Sequence, residues 1–253
     1  MTIGTIIRKF ESLASTNDTA RELIRAGAAH GTVVVADEQT RGRGTKGRSW
    51  HSPLGRGLYA SFILRWDDPQ EFEAPFSLLP LAAGLAAVEA VRGSTGVEAR
   101  LKWPNDLVRD RKKLGGILTE GVFRAGGPGR AVVGIGINVN QEDEDFPGEL
   151  KASATSIRLI TGRPADREAL LVSLCRTLDC WYNSLIHGER ERIIHSYEER
   201  MPFLPGTRVC VATAGGETAG IFSGLTPEGR LRFETAGGPG SVSLEEILGL
   251  EWE

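Results

Sequence analysis

Gln39-Thr-Arg-Gly-Arg-Gly-Thr-Lys-Gly-Arg-Ser-Trp50 decides how the rest of the chain is read. It follows Thr32-Val-Val-Val-Ala-Asp37, an apolar β-branched run that predicts a buried strand. Four cations, Arg41, Arg43, Lys46 and Arg48, fall within eight residues. Gly42, Gly44 and Gly47 free the backbone for positive φ and let main-chain N–H groups approach a ligand closely. A flexible cationic loop at a strand end suits a polyanion such as a nucleoside triphosphate. A solvated surface loop is the plainer reading of such a charge run. The loop also matches Gly42-x-Gly44-x-x-Gly47, the spacing of a dinucleotide-binding turn, but that fold needs a helix opening at the glycines. Pro53, Gly55 and Gly57 follow instead and prevent one, which excludes a Rossmann dehydrogenase. No Gly-Lys-Ser/Thr follows at the spacing of a phosphate loop either.

Upstream, Thr5-Ile-Ile-Arg-Lys-Phe10 reads as a short strand and Asp18 to Gly27 as a helix. Ser15, Thr16 or Asn17 can cap that helix and Gly27 can close it. Three adjacent hydroxyl and amide side chains exceed what one cap needs, and the surplus could meet a small polar ligand. Downstream, Leu58 to Leu64 reads as a strand. Phe76 to Arg92 reads as a helix whose apolar residues nearly encircle it, which predicts a central buried helix. Glu98 to Trp103 is a strand that Pro104 stops, leaving Asn105 and Asp106 at a turn beside its end. After a turn at Arg109 to Lys113, the stretch from Leu114 to Phe123 is strand-like, and Gly126 to Gly129 reads as a hairpin turn. Ala131 to Asn140 is a buried strand in which Gly134 and Gly136 leave room for close approach. These elements predict a mixed sheet with helices on one side. Thr155 to Thr161, Asp166 to Ile186 and Glu189 to Arg200 read as helices, the second capped by Asp166. Beyond Pro202 and Pro205, short strands separated by glycine turns (207–212, 218–225, 230–233 and 241–244) predict a small all-β barrel near the lower size limit for independent stability.

The 253 residues carry a net charge of −3, and a pI near 5.9 argues against a general nucleic-acid coat. No Cys/His cluster has metal-ligand spacing. Cys175 and Cys180, five apart on a predicted helix, face different ways and read as buried core thiols. There is no signal peptide and no apolar run long enough to cross a membrane, so the expected compartment is cytoplasmic.

Ser15-Thr-Asn17, Gln39-Thr-Arg-Gly-Arg-Gly44 through Trp50, Lys102-Trp-Pro-Asn-Asp106, Lys113-Leu-Gly-Gly-Ile117 and Gly134-Ile-Gly-Ile-Asn138 occur in order over about residues 10 to 140. In order and spacing this series resembles the motifs of biotin–protein ligases. The resemblance implies an α+β fold: a catalytic domain over 1–202, with a mixed β-sheet flanked by helices as in class II synthetases, and an SH3-like β-barrel over 203–253. It implies ATP-dependent formation of biotinyl-5′-AMP with release of pyrophosphate, then transfer of biotin to a lysine of a carboxylase's biotin carboxyl carrier domain. Mg²⁺ would come with ATP, and no metal held by the protein is implied. Some members carry an N-terminal winged helix that binds DNA. This chain begins close to the first catalytic strand, so neither that module nor a repressor role is expected. No membrane partner is implied, and an exposed sheet edge would suit a homodimer.

By the same resemblance, Ser15, Thr16, Asn17 and Gln39 would meet the ureido ring of biotin. Arg43 and Gly44 would cover it, with Thr45 and Gly116 among the biotin contacts, and Lys113 would sit between its carboxylate and the α-phosphate. Arg43, Lys46, Arg48, Trp50, Lys102, Asn105 and Asn138 would serve the nucleotide. The chemistry explains these residue types. A carboxylate attacking a phosphate brings two anions together, and cations such as Arg43, Lys46, Arg48 and Lys113 offset the repulsion. The mixed anhydride hydrolyses readily, so a glycine loop that closes over it and excludes water has a purpose. A substrate lysine is mostly protonated at neutral pH, and Asp106 could orient it or accept its proton. Lys113, Arg43, Arg48 and Asp106 are the candidate catalytic residues.

One position departs from the family pattern. Thr45 stands where many members have an arginine, which predicts weaker retention of the adenylate, with Lys46 recovering part of the loss. A lipoate or octanoate transferase has a related fold and also modifies a carrier lysine, but the basic glycine loop followed by Trp50 stands against it. A non-catalytic biotin sensor would differ in whether Lys113 and Asp106 support turnover.

Overall fold

The structure, a computed structural model, describes residues 2–66, 73–122 and 129–253, the side chains of 73–75 excepted. β1 (Ile6–Leu13) and β2 (Thr32–Gln39) run parallel. A parallel pair cannot be closed by a tight turn, so α1 (Thr16–Arg25) makes the crossover. β3 (Gly57–Trp66), β7 (Gly129–Asn138), β6 (Lys112–Val122), β5 (Asp106–Arg109) and β4 (Arg100–Lys102) follow antiparallel. The seven-stranded order is β1-β2-β3-β7-β6-β5-β4.

Alternation along β3 separates the two faces of this sheet. Leu58, Ala60, Phe62 and Leu64 join the large core with α2 (Glu73–Thr95) and α4 (Arg167–Ile186). Ile63 points the other way and meets Ala20 and Ile24 of α1, together with Val34 and Val132. Helices therefore cover both faces, correcting the one-sided expectation, because α1 carries its own apolar stripe. α3 (Ile157–Thr161) is a short turn of helix, and α5 (Arg190–Glu199) packs on α2 and α4.

Three other expectations need correction. Phe76–Thr95 of α2, with mean hydropathy 1.3, is long and apolar enough to cross a membrane. Its side chains are mostly buried, and it packs between α4 and the sheet as a core helix. Ser15 takes the N-cap position of α1, but its side chain makes no capping hydrogen bond. Cys175 is buried whereas Cys180 is exposed, so only the first is a core thiol. The turn expected at Gly126 to Gly129 falls almost wholly outside the described residues.

The C-terminal sheet is antiparallel, built from β8 (Arg208–Thr213), β9 (Gly216–Leu225), β10 (Leu231–Thr235), β11 (Gly238–Val242) and β12 (Ile247–Trp252). Their order is β11-β10-β9-β8-β12. β12 was not anticipated, and its register slips between Ile247 and Gly249, which breaks the alternation that a strand reading needs. Phe222, Leu225, Leu231 and Phe233 belong to the same hydrophobic cluster as α2. Gly229, in the β9–β10 turn at φ +81°, leaves room that a Cβ would take 2.9 Å from Leu78 Cδ2. Trp103 Nε1 donates to the Gly229 carbonyl at 3.0 Å, a buried bond that ties this turn to the end of β4. A barrel this small draws part of its burial from its neighbour.

Candidate active site

Three cross-strand rows form the floor of the site. Tyr59, Gly136 and Gly116 lie side by side, then Ser61, Gly134 and Leu118, then Ile63, Val132 and Glu120. Side chains two residues apart share a face, so these rows all turn toward α1. The glycines of β7 are hollows in that floor. A Cβ on Gly134 would collide with Asn17 Oδ1, and one on Gly136 would lie 2.7 Å from Trp50 Cε2. Asn17 and Trp50 rest on the sheet for this reason, as the spacing of the two glycines predicts.

The Gln39–Trp50 segment folds as a short hairpin rather than a free loop. Trp50 N donates to Gly42 O at 2.9 Å and Gly44 N to Arg48 O at 2.7 Å, with a 3₁₀ turn over Thr45–Gly47 at the tip. Positive φ falls on Lys46 and Gly47, not on Gly42 or Gly44, which corrects the expected use of the glycines. Gly42 is required for space, since a Cβ there would strike the Trp50 carbonyl. Lys46 Nζ donates to the Glu245 carbonyl of the barrel. Arg48 Nη2 donates to Thr45 Oγ1 at 3.0 Å and its Nε to Thr45 O at 3.3 Å. Arg43 donates through Nη1 and Nη2 to Glu120 Oε1 and Oε2 at 3.0 and 2.8 Å, and Nη2 lies 2.9 Å from Asp18 Oδ1.

Polar groups gather where α1 begins. Gln39 Oε1 accepts from Thr16 N at 2.9 Å and from Thr16 Oγ1 at 3.0 Å, while Gln39 Nε2 donates to Ser52 Oγ at 2.9 Å. Ser61 Oγ lies 2.5 Å from Asn17 Oδ1 and 2.7 Å from Thr16 Oγ1. The buried Ser15 hydroxyl, not spent on capping, faces the same space.

The opposite end carries the cations. Residues 153–155 pair with the start of β6: Lys113 N donates to Ser153 O at 2.7 Å and Thr155 N to Lys113 O at 2.9 Å. Asn138 Nδ2 holds that segment through Thr155 O at 3.0 Å. Lys113 Nζ then projects to 2.7 Å from Asp106 Oδ1 and 5.4 Å above the Trp50 ring. Trp50 Nε1 is buried over Gly136 with no hydrogen-bond partner. Asn105 Nδ2 donates to Ile117 O at 2.8 Å, fixing the β4–β5 turn against β6.

Most of the candidate residues come together. A pocket of about 250 Å³ is lined by Ser15, Thr16, Asn17, Gln39, Arg43, Gly44, Thr45, Arg48, Trp50, Asn105, Lys113, Gly116 and Asn138. Lys46, Lys102 and Asp106 line a smaller pocket of about 70 Å³ between the hairpin, the β4–β5 turn and the barrel. The two share Thr45, Arg48 and Asn105. The Lys113–Asp106 ion pair therefore marks their boundary, the ammonium facing one and the carboxylate the other. Lys102 turns toward the barrel, its Nζ 5.2 Å over the Trp252 ring. Burial lowers its pKa, and Asp106 pulls it back upward. Sequence reasoning missed Asp18, Ser61 and Glu120. The available signal for Glu120 was period-two alternation from Gly116 through Leu118, which carries the site face two positions past the motif. An apolar slot with hydrogen-bonding groups at one end and cations at the other suits a molecule with a polar ring, an aliphatic chain and an acid.

The sequence and fold can be set beside known proteins. Residues 9–140 match the model for the biotin/lipoate A/B protein ligase family. The chain is 37% identical over 227 residues to the bifunctional ligase/repressor BirA of Bacillus spizizenii, covering 89% of this chain and 68% of that one. It is 31% identical over 243 residues to the biotin–[acetyl-CoA-carboxylase] ligase of Paracoccus denitrificans, covering 93% and 98%. Among solved structures, the biotin protein ligase from Aquifex aeolicus in complex with biotin and ATP superposes with a TM-score of 0.84 at 32% identity, covering 98% of this chain and 100% of that one.

Proposed function

Because the chain belongs to the biotin/lipoate A/B protein ligase family, we propose that this ligase activates biotin with ATP and transfers it to a carrier-domain lysine. The observation that carries the reading is the Lys113–Asp106 pair, 2.7 Å apart, where the two pockets meet. Support for the substrates comes from the Aquifex aeolicus neighbour, whose structure is of a complex with biotin and ATP.

In the proposed first step the biotin carboxylate attacks the α-phosphate and pyrophosphate leaves. Lys113 stands where the two anions would meet and offsets their repulsion, with Arg48 lining the same pocket from the hairpin; Arg43, forked onto Glu120, belongs to the head-group end instead. Mg²⁺ belongs to the nucleotide substrate in this scheme. The hairpin roof over the pocket keeps water from the mixed anhydride. In the second step the acceptor amine attacks the acyl carbon and AMP leaves. Asp106 faces the smaller pocket, so it can hold an incoming lysine ammonium or take its proton. The head-group end favours biotin over lipoate. Ser15, Thr16, Asn17 and Gln39 offer hydrogen bonds that a ureido ring can answer and a dithiolane cannot.

A carboxylase biotin carboxyl carrier domain is the proposed acceptor, and the cytoplasm the proposed setting, supported by three free cysteines and the need for ATP. No specific DNA binding is proposed, supported by the net charge of −3. A homodimer is also proposed, supported by the outer edge of β1, a strand that pairs only with β2 among the described residues. The deciding experiment is isotope exchange of pyrophosphate into ATP with biotin or lipoate, followed by labelling of a purified carrier domain. Exchange with lipoate and none with biotin would refute the reading.

A further inference from the structure

We infer that Glu120 is a positioning residue that fixes the biotin-recognition end and latches the hairpin at once; this rests on the function proposed above. Glu120 lies on β6 in the floor row next to Leu118 and Gly134. Its side chain is 19% exposed, so its partners are worth more than surface contacts. Oε2 accepts from Asn17 Nδ2 at 2.7 Å and from Arg43 Nη2 at 2.8 Å. Oε1 accepts from Arg43 Nη1 at 3.0 Å and from Arg21 Nη1 at 3.4 Å.

The first consequence concerns Asn17. Glu120 and the Leu118 carbonyl, 3.4 Å away, take the Nδ2 hydrogens, while Oδ1 lies 2.5 Å from Ser61 Oγ. A carboxylate cannot donate, so Glu120 dictates which end of the amide turns toward it. What remains of Asn17 for a ligand is an acceptor, the complement of a ring N–H. The second consequence concerns the hairpin. Arg43 reaches Glu120 in a two-bond fork, so the strand that roofs the pocket is pinned to the strand that floors it.

Only a carboxylate, with two acceptor oxygens, can hold the full Arg43 fork and Asn17 together. A glutamine has one acceptor oxygen and one donor nitrogen. With its oxygen in the place of Oε2 it still accepts from Asn17 Nδ2 and Arg43 Nη2, but its NH₂ opposes Arg43 Nη1 and breaks the fork; turned round, it opposes Asn17 Nδ2 and Arg43 Nη2. Asp18 adds a second carboxylate 2.9 Å from Arg43 but does not reach Asn17 by any bond in the structure. Among the described residues, Glu120 alone is bonded to both Asn17 and Arg43.

The test varies biotin and ATP separately in pyrophosphate exchange, and measures the half-life of enzyme-held adenylate, for the wild type, E120Q, E120D, R43K and E120Q/R43K. E120Q should raise KM for biotin and shorten the adenylate half-life, each by about ten- to hundredfold, the value of a lost charge-assisted hydrogen bond. KM for ATP should stay within about twofold, a split that a merely structural role would not produce. E120D keeps the charge but sets it one methylene back, so it should recover part of the retention. The double variant should be no worse than its poorer single parent, since both break one contact. An unchanged biotin KM and half-life in E120Q, an equal rise in both KM values, or full additivity with R43K would each overturn the inference. Where E120Q does not fold, the biotin KM of E120D decides alone, and an unchanged value overturns it. A wild type without biotin-dependent exchange sinks the function reading; a wild type that exchanges beside an unaltered E120Q sinks only the role of Glu120.

Discussion

The ammonium of Lys113 and the hydroxyl of Thr45 give the sharpest expectations at the scale of single residues. Lys113→Ala removes the cation between the pockets but leaves the main-chain pairing with residues 153–155 intact. Exchange should fall by at least about a hundredfold, as when a group stabilising transition-state charge is removed, with little change in thermal midpoint. A fully active Lys113→Ala protein would take that residue out of the mechanism. Thr45 turns out to hold Arg48 through both its carbonyl and its hydroxyl. An arginine here would add charge yet surrender the hydroxyl contact. That contact is exposed and worth at most about 1 kcal/mol. Thr45→Val should therefore speed adenylate release by about fivefold or less, and Thr45→Arg should slow it by less than about tenfold. Stopped-flow release rates that do not move with either change would mean the tip is held elsewhere. The candidate residues were legible because short motifs keep their members together. Glu120 was not, because its bonds to Arg43 and Asn17 span 77 and 103 positions and no local pattern encodes them.

Between single residues and the whole molecule, the informative unit is β7. Its two glycines serve different ends of the site, Gly134 beneath Asn17 and Gly136 beneath Trp50. Each Gly→Ala change overpacks the floor by one methyl group, at a cost of about 1–3 kcal/mol. Gly134→Ala should raise mainly the KM for biotin, and Gly136→Ala mainly the KM for ATP, if Trp50 serves the nucleotide. Equal effects on both constants from both variants would show that the floor acts as one body. The strands and the long helices were readable from alternation and apolar content. β12 was not, since Gly249 sits at a register shift and hides the period. The covering of both sheet faces escaped notice because α1 has few large apolar residues and its stripe is short.

Across the whole molecule, the barrel and the catalytic sheet meet at three places near the chemistry. Lys46 reaches the Glu245 carbonyl, Lys102 and Arg111 flank the Trp252 ring at 5.2 and 5.0 Å, and Trp103 bonds to Gly229. Trp103 opens the β4–β5 turn that holds Asn105 and leads into Asp106 at the start of β5. Trp103→Phe keeps the ring but strands the buried Gly229 carbonyl, costing about 1–3 kcal/mol. Transfer to the carrier lysine should slow more than pyrophosphate exchange, because Asp106 belongs to the second step; loss of exchange alone would contradict this. Nothing in either segment foretold the bond, which joins positions 126 apart. The Gly229 turn also makes the barrel a reporter of the pocket. Its amide donates to Thr226 O at 2.8 Å, and its carbonyl holds the tryptophan beside the ion pair. Ligands that stabilise the closed site must then stabilise that turn as well. Deuterium uptake at Gly229 should fall when biotin and ATP are both saturating, although the turn touches neither. Uptake that stays constant would make the barrel a passenger.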